Sequence, residues 1–303
     1  MKIKMTNSDR IFDAVNYLLL TIILIIIAFP LWFVMIASVS DPVMVARGKV
    51  VFWPKGINLN AYSNILINAD IWKGYLNTIV YTLSGTLLNL FFTLTCAYVL
   101  SKKTLPFRQG LNWFFIFTMY FGGGMIPTYL LIRDLGLIDT RLVMILPGAL
   151  SVYLMVITRT YFTTSIPEDL YEAAKIDGMP DFGMFIKIAL PLSAPIIAVM
   201  ALFYGVGHWN AFYSALIYLR NNDLYPLQII LRNILIFSQQ MKIDPERMAL
   251  MSTEQVEHMV KMAHMAEGMK YALIIVASAP VLAAYPFVQR YFIKGIMVGA
   301  LKA

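Results

Sequence analysis

Six long stretches of this chain contain no charged residue. A helix needs about 20 residues to cross the roughly 30 Å of hydrocarbon in a bilayer, and a charge near its centre is costly. The charge-free runs are residues 14–40, 74–101, 109–132, 142–158, 188–219 and 271–289. With flanking residues added to the fourth and sixth runs, the predicted spans are 14–40, 74–101, 109–132, 142–161, 188–219 and 271–292. The sequence therefore predicts an all-α membrane protein with six transmembrane helices.

The composition agrees with a lipid environment. Hydrophobic residues make up 59% of the chain and charged residues only 14%, with a mean hydropathy of +0.70. In soluble domains about a quarter of the residues are charged. The net charge of +7 comes from lysines and arginines scattered among loops, which form no continuous face for nucleic acid. The single Cys96 lies in an apolar run, can form no internal disulfide and is assigned no role.

The first apolar run has to be distinguished from a secretory signal, because Lys2, Lys4 and Arg10 precede it. The run is longer than a typical signal core and has no A-x-A-like site before Asp41, which favours an uncleaved first helix. An even number of spans puts both termini on one side of the membrane. Lysines and arginines divide equally between the two sides, so the charge rule leaves the orientation open.

Helix breakers inside the runs predict bent or broken spans, because proline removes a backbone hydrogen bond. The prolines are Pro30, Pro127, Pro147, Pro195, Pro280 and Pro286. Gly122–Gly124 is not followed by the Lys-Ser/Thr of a phosphate loop, which favours close packing or local unwinding near Pro127. The chain has no complete Walker sequence, so ATP hydrolysis has to come from a partner. The charge-free runs also speak against an intramembrane hydrolase or a secondary transporter, which commonly carry ionisable groups there.

Residues 163–190 predict two short helices between the fourth and fifth runs. Ser165 and Glu168 fit a capping box, which predicts a first helix from Ile166 to Asp177, with Gly178 as its left-handed C-terminal cap. Asp181 is predicted to cap the second helix. That helix is predicted to bury one apolar face formed by Phe182, Phe185, Ile186 and Ala189.

The same segment resembles the EAA loop of importer permeases of the ATP-binding cassette superfamily. The residues that carry the resemblance are Glu172-Ala173-Ala174, Asp177-Gly178 and Ile188-Ala189-Leu190-Pro191. Trp209-Asn210 and the ending from Gln289 to Lys302 are similar to carbohydrate-class permeases of the maltose type. Among these the chain is most similar to the LplC/YtcP type, which carries complex oligosaccharides. Met179-Pro180 departs from the usual small and polar pair and affects the expected angle between the two short helices.

The resemblance implies that residues 1–303 form a single type I importer transmembrane domain with both termini cytoplasmic. The loop 163–190 is then cytoplasmic and docks on an ATPase, while the loops 41–73, 133–141 and 220–270 face outward. The implied function is that of a non-catalytic permease subunit in the bacterial plasma membrane, importing a sugar or oligosaccharide. An importer permease for a non-sugar solute is the alternative. The implied partners are a second, different permease, two ATPase subunits that bind ATP and Mg²⁺, an extracellular sugar-binding lipoprotein, the sugar and membrane lipid.

Two groups of candidate site residues follow. For coupling to the ATPase, the resemblance implies Glu172, Ala173, Ala174, Asp177, Gly178 and Pro191. For the translocation path, aromatic faces and amides that suit a sugar are Tyr120, Tyr204, Trp209, Asn210 and Tyr213. His208 is expected to be a hydrogen-bonded helix residue. A methionine-rich stretch with His258 and His264 is expected to form an amphipathic outer helix and no metal site.

Overall fold

A computed structural model describes residues 6–240 and 252–300, and the regular secondary structure in these residues is entirely helical. The α-helices are α1 Asn7–Ser38, α2 Pro42–Ala46, α3 Asn60–Ile67, α4 Ala69–Ser101, α5 Arg108–Tyr120, α6 Met125–Asp134, α7 Val152–Ser165, α8 Glu168–Ile176, α9 Asp181–Met184, α10 Leu190–Leu192, α11 Ala194–Trp209, α12 Tyr213–Tyr218, α13 Leu227–Gln240 and α14 Thr253–Ala300. Short 3₁₀ turns occupy Arg141–Met144 and Asn222–Leu224. A π-helical turn, Phe185–Ala189, joins α9 to α10. The predicted all-helical class is confirmed for the described residues.

The chain divides into two compact units. One contains Met1–Ala69 and Leu231–Ala279, and the other contains Asp70–Ile230 and Pro280–Ala303. The first has a small apolar cluster of Ile36, Ala37, Val45 and Val50. The second has a larger core in which α4, α7 and α8 meet, formed by residues including Leu94, Ala97, Tyr98, Met155, Phe162, Tyr171 and Ala174. This larger core supports the segment that resembles the EAA loop.

Three helical segments are long and apolar enough to cross a membrane: Asn7–Ser38, Ala69–Ser101 and Met265–Phe287. Two bent pairs would each serve as a further span, Arg108–Tyr120 with Met125–Asp134 and Asp181–Leu192 with Ala194–Trp209. The described residues thus contain three to five candidate spans. The predicted count of six and the side of the termini remain predictions.

The third predicted run is interrupted at Gly122–Gly124, which agrees with the predicted local unwinding near Pro127. α5 ends at Tyr120, α6 begins at Met125, and the two helices meet at a bend of 108°. Gly124 has φ 81° and ψ −179°, a conformation that side chains with a Cβ adopt only under strain. Pro30, Pro280 and Pro286, in contrast, lie inside helices that continue past them.

The fourth predicted run is helical only in its second half. A 3₁₀ turn ends at Met144, residues 145–151 are irregular, and α7 begins at Val152. Pro147 lacks an N–H, and Gly148 has φ 81°, so the backbone leaves the helical region here. The freed Gly148 carbonyl accepts a hydrogen bond from Asn89 Nδ2 at 2.7 Å. A side chain on α4 thereby replaces a helical hydrogen bond, which is what unwound backbone inside a membrane protein needs.

The fifth predicted run contains two further interruptions. α10 and α11 are separated at Ser193, where the helix axis bends by 80°, and α11 is separated from α12 at residues 210–212. Pro191 and Pro195 flank the first interruption and account for it, because neither can donate a backbone hydrogen bond. The predicted broken helices are therefore found in this run.

Candidate functional site

The first helix of the EAA-like segment, α8, begins two residues later than predicted. Its N-terminal cap is Pro167, which makes no side-chain capping bond, because Ser165 is the last residue of α7 and has helical backbone. The predicted capping box between Ser165 and Glu168 is therefore wrong. Glu168 instead accepts a hydrogen bond from Lys103 Nζ at 2.5 Å, and this contact lowers the pKa of the Glu168 carboxyl.

The C-terminus of α8 has the predicted left-handed cap. Gly178 has φ 74° and donates its N–H to the Lys175 carbonyl at 3.0 Å. The Met179 N–H donates to the Ala174 carbonyl at 2.9 Å. These two hydrogen bonds form a Schellman motif, which satisfies the last carbonyls of the helix and ends it at a defined residue. No atom lies within 4 Å of where a Cβ on Gly178 would stand, so the backbone angle, and not space, requires glycine.

The inner side of α8 packs against the larger core. Tyr171 and Ala174 are buried in the cluster that also contains Tyr98, Phe162 and Met184. Residues 101–104, at the end of α4 and just beyond it, lie beside this face, where the Lys102 ammonium stands 3.2 Å from the centre of the Tyr171 ring and 4.4 Å from that of Tyr98. Burial lowers the pKa of Lys102 to about 8, against a smaller opposing effect of Asp181.

The part of the chain that the structure describes leaves the outer side of α8 exposed. Glu172, Ala173 and Asp177 are exposed, and Ile176 is 87% exposed. Of the two alanines that the resemblance implies for coupling, Ala174 is buried in the core and only Ala173 is accessible. An exposed isoleucine beside a small residue and a carboxylate makes an amphipathic surface suited to protein docking.

The second helix of the segment differs from the prediction. Asp181 is its first residue, the cap is Pro180, and no side-chain capping bond forms. Because the next turn, Phe185–Ala189, is π-helical, the residues predicted at a 3.6-residue period do not share one buried face. Phe182 is 71% exposed and Ile186 45%, while Met184 and Ala189 are buried. Pro191 is exposed at the bend that follows.

Two of the five predicted translocation residues serve the packing of this chain. Tyr204 is buried, and its hydroxyl is 2.6 Å from Thr93 Oγ1 and accepts from the Ser151 N–H at 3.2 Å. It therefore ties α11 to α4 and to the start of α7. Trp209 is also buried, and its ring packs edge-on against Tyr75 at 5.7 Å.

The other three predicted translocation residues are exposed. Asn210 accepts from Gln228 Nε2 at 3.3 Å, and the Tyr213 hydroxyl donates to Met125 Sδ at 3.2 Å. Tyr120, the last residue of α5, is 73% exposed. The hydrogen bond of Tyr213 joins the start of α12 to the start of α6, next to the glycine break. The structure thus divides the predicted set into two packing residues and three accessible ones.

A polar network that was not predicted as a site lies beside these residues. His208 Nε2 is 2.7 Å from Asn89 Oδ1, so His208 is the hydrogen-bonded helix residue expected from the sequence. Asn89 also holds the Gly148 carbonyl, and both side chains line a cavity of about 190 Å³ together with Tyr204 and Ser214. The signal available in the sequence was Asn89 itself, an amide in the middle of an apolar run, since such groups need partners in a membrane.

Predictions on two other segments fall partly outside the described residues. Met241, Met248 and Met251 lie there, as do the side chains of His258, His264 and residues 290–303. Among the described residues no group of three or more metal-ligating side chains occurs. Within the methionine-rich stretch, residues 253–270 form part of α14.

A family model described as binding-protein-dependent transport system inner membrane component matches residues 71–298. The chain belongs to this family. The match runs from the start of α4 nearly to the end of α14 and includes the whole EAA-like segment. The family consists of transport permeases of the membrane, which work together with a binding protein.

Individual members of the family align over nearly the whole chain. Protein LplC of Bacillus subtilis (strain 168) is 37% identical over 98% of this chain and 97% of its own length. The polygalacturonan/rhamnogalacturonan transport system permease protein YtcP of the same organism is 38% identical over 97% of this chain and 99% of its own length. A chain from the crystal structure of a bacterial ABC transporter involved in the import of the acidic polysaccharide alginate matches with a TM-score of 0.84 and 32% identity, covering 96% of this chain and 100% of that one. The fold is accordingly that of a type I importer permease.

Proposed function

We propose that this chain is one of two different membrane-spanning subunits of an ATP-driven importer of oligosaccharides in a bacterial plasma membrane. Family membership and the names of the relatives support this assignment, because YtcP is named for polygalacturonan and rhamnogalacturonan transport and the solved transporter for the import of alginate. Both of those substrates are acidic, so an acidic oligosaccharide is the first substrate to test. An extracellular lipoprotein delivers the sugar, and two ATPase subunits bind ATP and Mg²⁺.

The observation that carries the proposal is the construction of α8. The helix is held on its inner side by Tyr171 and Ala174 and ends in a glycine cap, while its outer side presents Glu172, Ala173 and Ile176. A short helix fixed at one side and accessible at the other can transmit motion of a docked ATPase to the bundle. In this assignment Glu172 pairs with a basic group of the ATPase and Ile176 fills an apolar recess on it. Asp177, Gly178 and Pro191 set the shape of the segment.

The proposed orientation follows from this role. A segment that meets an ATPase faces the cytoplasm, which puts both termini on that side for six spans. For the translocation path we propose Tyr120, Asn210 and Tyr213, because they are the accessible members of the predicted set and combine aromatic faces with an amide. Tyr204 and Trp209 support the path indirectly, because their contacts fix the position of α11.

The test uses the whole transporter, purified from membranes through an affinity tag on this chain. Wild type is expected to bring with it a second permease and an ATPase, and to show ATP hydrolysis stimulated by the binding protein and an oligosaccharide. Glu172→Lys reverses the charge at the docking surface and is expected to lower the stimulated hydrolysis at least about tenfold, the range for breaking a desolvated charge pair. Uptake of acidic and neutral oligosaccharides and of non-sugar solutes then identifies the substrate class.

The matched control is Glu254→Lys, which reverses an exposed glutamate near the start of α14. It is expected to retain wild-type hydrolysis and uptake. A chain that purifies without an ATPase under mild conditions would count against the assignment. Uptake of only a non-sugar solute would keep the importer function and replace the substrate class.

A further inference from the structure

A narrow cleft beside α8 is lined by basic side chains and by the buried Tyr171. The cleft lies between residues 101–104 and α8, is lined by Tyr171 from the inner side of α8 and reaches Glu172 on the outer side, and has a volume of about 150 Å³. This is several times the roughly 30 Å³ that a water molecule takes in the liquid. The charged and phenolic residues that line it are Lys102, Lys103, Lys175, Glu168, Glu172 and Tyr171.

Two donor groups of this cleft have no acceptor among the described residues. Tyr171 is 8% exposed, and its hydroxyl makes no hydrogen bond in the part of the chain that the structure describes. The Lys102 ammonium lies over the ring of the same tyrosine, and across residues 6–240 and 252–300 it forms no ion pair within 4.0 Å. A hydroxyl and an ammonium removed from water both cost free energy unless an acceptor is supplied. One group with several acceptor oxygens could serve both.

The carboxylates of the cleft do not supply that acceptor. Glu168 is bonded to Lys103 at the exposed rim, with an Nζ to Oε2 distance of 2.5 Å. Glu172 and Lys175 are both exposed, and in the described residues Lys175 is in no ion pair. Three lysines against two glutamates leave the lining with an excess of one positive charge. Asp181, which does not line the cleft, also acts on the charge of Lys102, but the two form no ion pair within 4.0 Å. The unfilled acceptor position therefore favours an anion.

The position of the cleft along the chain indicates the source of the anion. Lys102 and Lys103 come directly after the apolar helix Ala69–Ser101, and basic residues that flank a membrane-spanning helix commonly meet lipid headgroups. Phe107, five residues after Lys102, is 89% exposed, and Trp113 on the following helix α5 is 64% exposed. Exposed aromatic rings next to basic residues are typical of the interface between lipid and water. Basic recesses at this depth are suited to anionic headgroups.

We propose that the cleft binds the phosphate of an anionic lipid headgroup, with Lys102 and Lys175 as the cations and the Tyr171 hydroxyl as a further donor. A bound phosphate satisfies the two groups that lack an acceptor and connects the end of α4 to the inner side of α8. The lipid thereby stabilises the seating of the segment that meets the ATPase. The proposal does not depend on which solute the transporter carries.

The experiment measures lipid occupancy on the intact transporter. The complex is placed in phosphatidylcholine containing a graded fraction of phosphatidylglycerol, and native mass spectrometry records the phosphatidylglycerol retained on this chain. Lys102→Gln and Lys175→Gln are each expected to lower the affinity about fivefold, the effect of one cation at a membrane surface. Tyr171→Phe keeps the ring under the Lys102 ammonium and removes only the donor, and it is expected to lower retention as well. Lys187→Gln removes an exposed lysine that does not line the cleft and is expected to match wild type.

Two results would overturn the proposal. Equal retention in wild type, Lys102→Gln and Tyr171→Phe would mean that lipid binds elsewhere and that only water fills the cleft. Displacement of the retained lipid by millimolar glycerol phosphate or inorganic phosphate would assign the site to a soluble phosphate instead. Lipid occupancy is measured without transport or ATP hydrolysis. A negative result for the lipid proposal is therefore distinct from a negative result for the importer assignment. Recovery of the ATPase with each variant shows that the complex remains assembled.

Discussion

Gly178 and Lys102 show how single residues prepare the EAA-like segment. Gly178 is needed for a backbone angle, since its φ of 74° permits the two hydrogen bonds that end α8. The contribution of Lys102 depends on its charge, because its half-buried ammonium lies over the rings of Tyr98 and Tyr171. The first property is visible in the sequence as a glycine after a helical pattern. The second depends on residues about 70 positions apart in the chain.

The glycine at the end of α8 gives a prediction with a matched control. Gly178→Ala is expected to cost about 1 kcal/mol because it puts a Cβ into the left-handed region. The expected result is reduced ATP hydrolysis with the partner subunits still recovered. Gly136→Ala introduces the same strain at φ 68°, after α6 and also with open space around the Cβ. A comparable loss of coupled hydrolysis in Gly136→Ala would mean that general instability, and not the shape of the segment, is responsible.

The lowered pKa of Lys102 can be tested by its reactivity as a function of pH. Its value of about 8 in the fold is below the usual 10.5, so the fold disfavours the charged amine. Burying the charged amine lowers the free energy of unfolding. This loss of stability is present in full below pH 8 and is relieved as the pH rises from about 8 towards 10.5. In phosphatidylcholine, acylation of Lys102 as a function of pH, followed by mass spectrometry, is expected to show a midpoint near 8. Lys187 serves as the comparison, because it is exposed on the same segment. A midpoint for Lys102 near 10.5 in the absence of anionic lipid would contradict the burial that the structure describes.

At the scale of elements, the breaks in the helices carry more information than the helices themselves. The break before α6 is made by Gly124, the irregular stretch before α7 by Pro147 and Gly148, and the bend after α10 by two prolines. Each interruption is local, and the one before α7 is compensated by a side chain from another helix, Asn89. Breaks of this kind create accessible backbone and polar groups at membrane depth, where a solute path needs them.

The break between α5 and α6 can be tested with a second pair of glycines. Gly124→Ala puts a Cβ at φ 81° and ψ −179°, and the expected cost is about 1–3 kcal/mol. Gly110→Ala lies inside α5, has open space around its Cβ, and is expected to leave stability unchanged or raised. Thermal denaturation of the purified complex, followed by loss of the monodisperse peak in size-exclusion chromatography, measures both. Equal melting temperatures for the two variants would mean that the backbone angle at Gly124 does not require glycine.

At the scale of the whole molecule, the number of membrane crossings depends on how the interrupted segments are counted. The structure offers three to five candidate spans, while the charge-free runs predict six. The difference arises at 142–158, where only the residues from Val152 onward are α-helical. A crossing of this kind would use irregular backbone for part of its length. Such backbone is tolerated inside a bundle when its polar groups have partners.

Topology is tested with single cysteines in a Cys96→Ser background. Asn60→Cys lies at the start of α3, in the loop 41–73 predicted to face outward, and Asp169→Cys lies on α8. Both positions are exposed in this chain. A membrane-impermeant maleimide is expected to label Asn60→Cys in intact cells and Asp169→Cys only after permeabilisation. The reverse pattern would invert the orientation, and labelling of both from outside would rule out the predicted number of crossings between them.

The sequence predicted those parts of the fold that depend on local chemistry. Charge-free runs indicate helices in lipid wherever they occur, and Gly178 and Gly122–Gly124 mark their ends and breaks through backbone freedom alone. The capping box failed because the sequence pattern around Ser165 does not show that α7 continues to this residue. The apolar face of the second helix failed because a π-helical turn changes the period on which the prediction depends.

The candidate site was only partly predictable from the sequence, because the exposure of its side chains depends on packing between distant segments. The motif located α8, but it could not show that Tyr171 and Ala174 face inward while Glu172, Ala173 and Ile176 face outward, because that depends on where α4 and α7 pack. Tyr204 and Tyr213 have the same chemistry, yet one is buried in hydrogen bonds and the other is accessible. Local sequence determines which segments are apolar, helical or interrupted. Contacts between distant residues decide which side chains support the fold and which remain available to partners, lipid and solute.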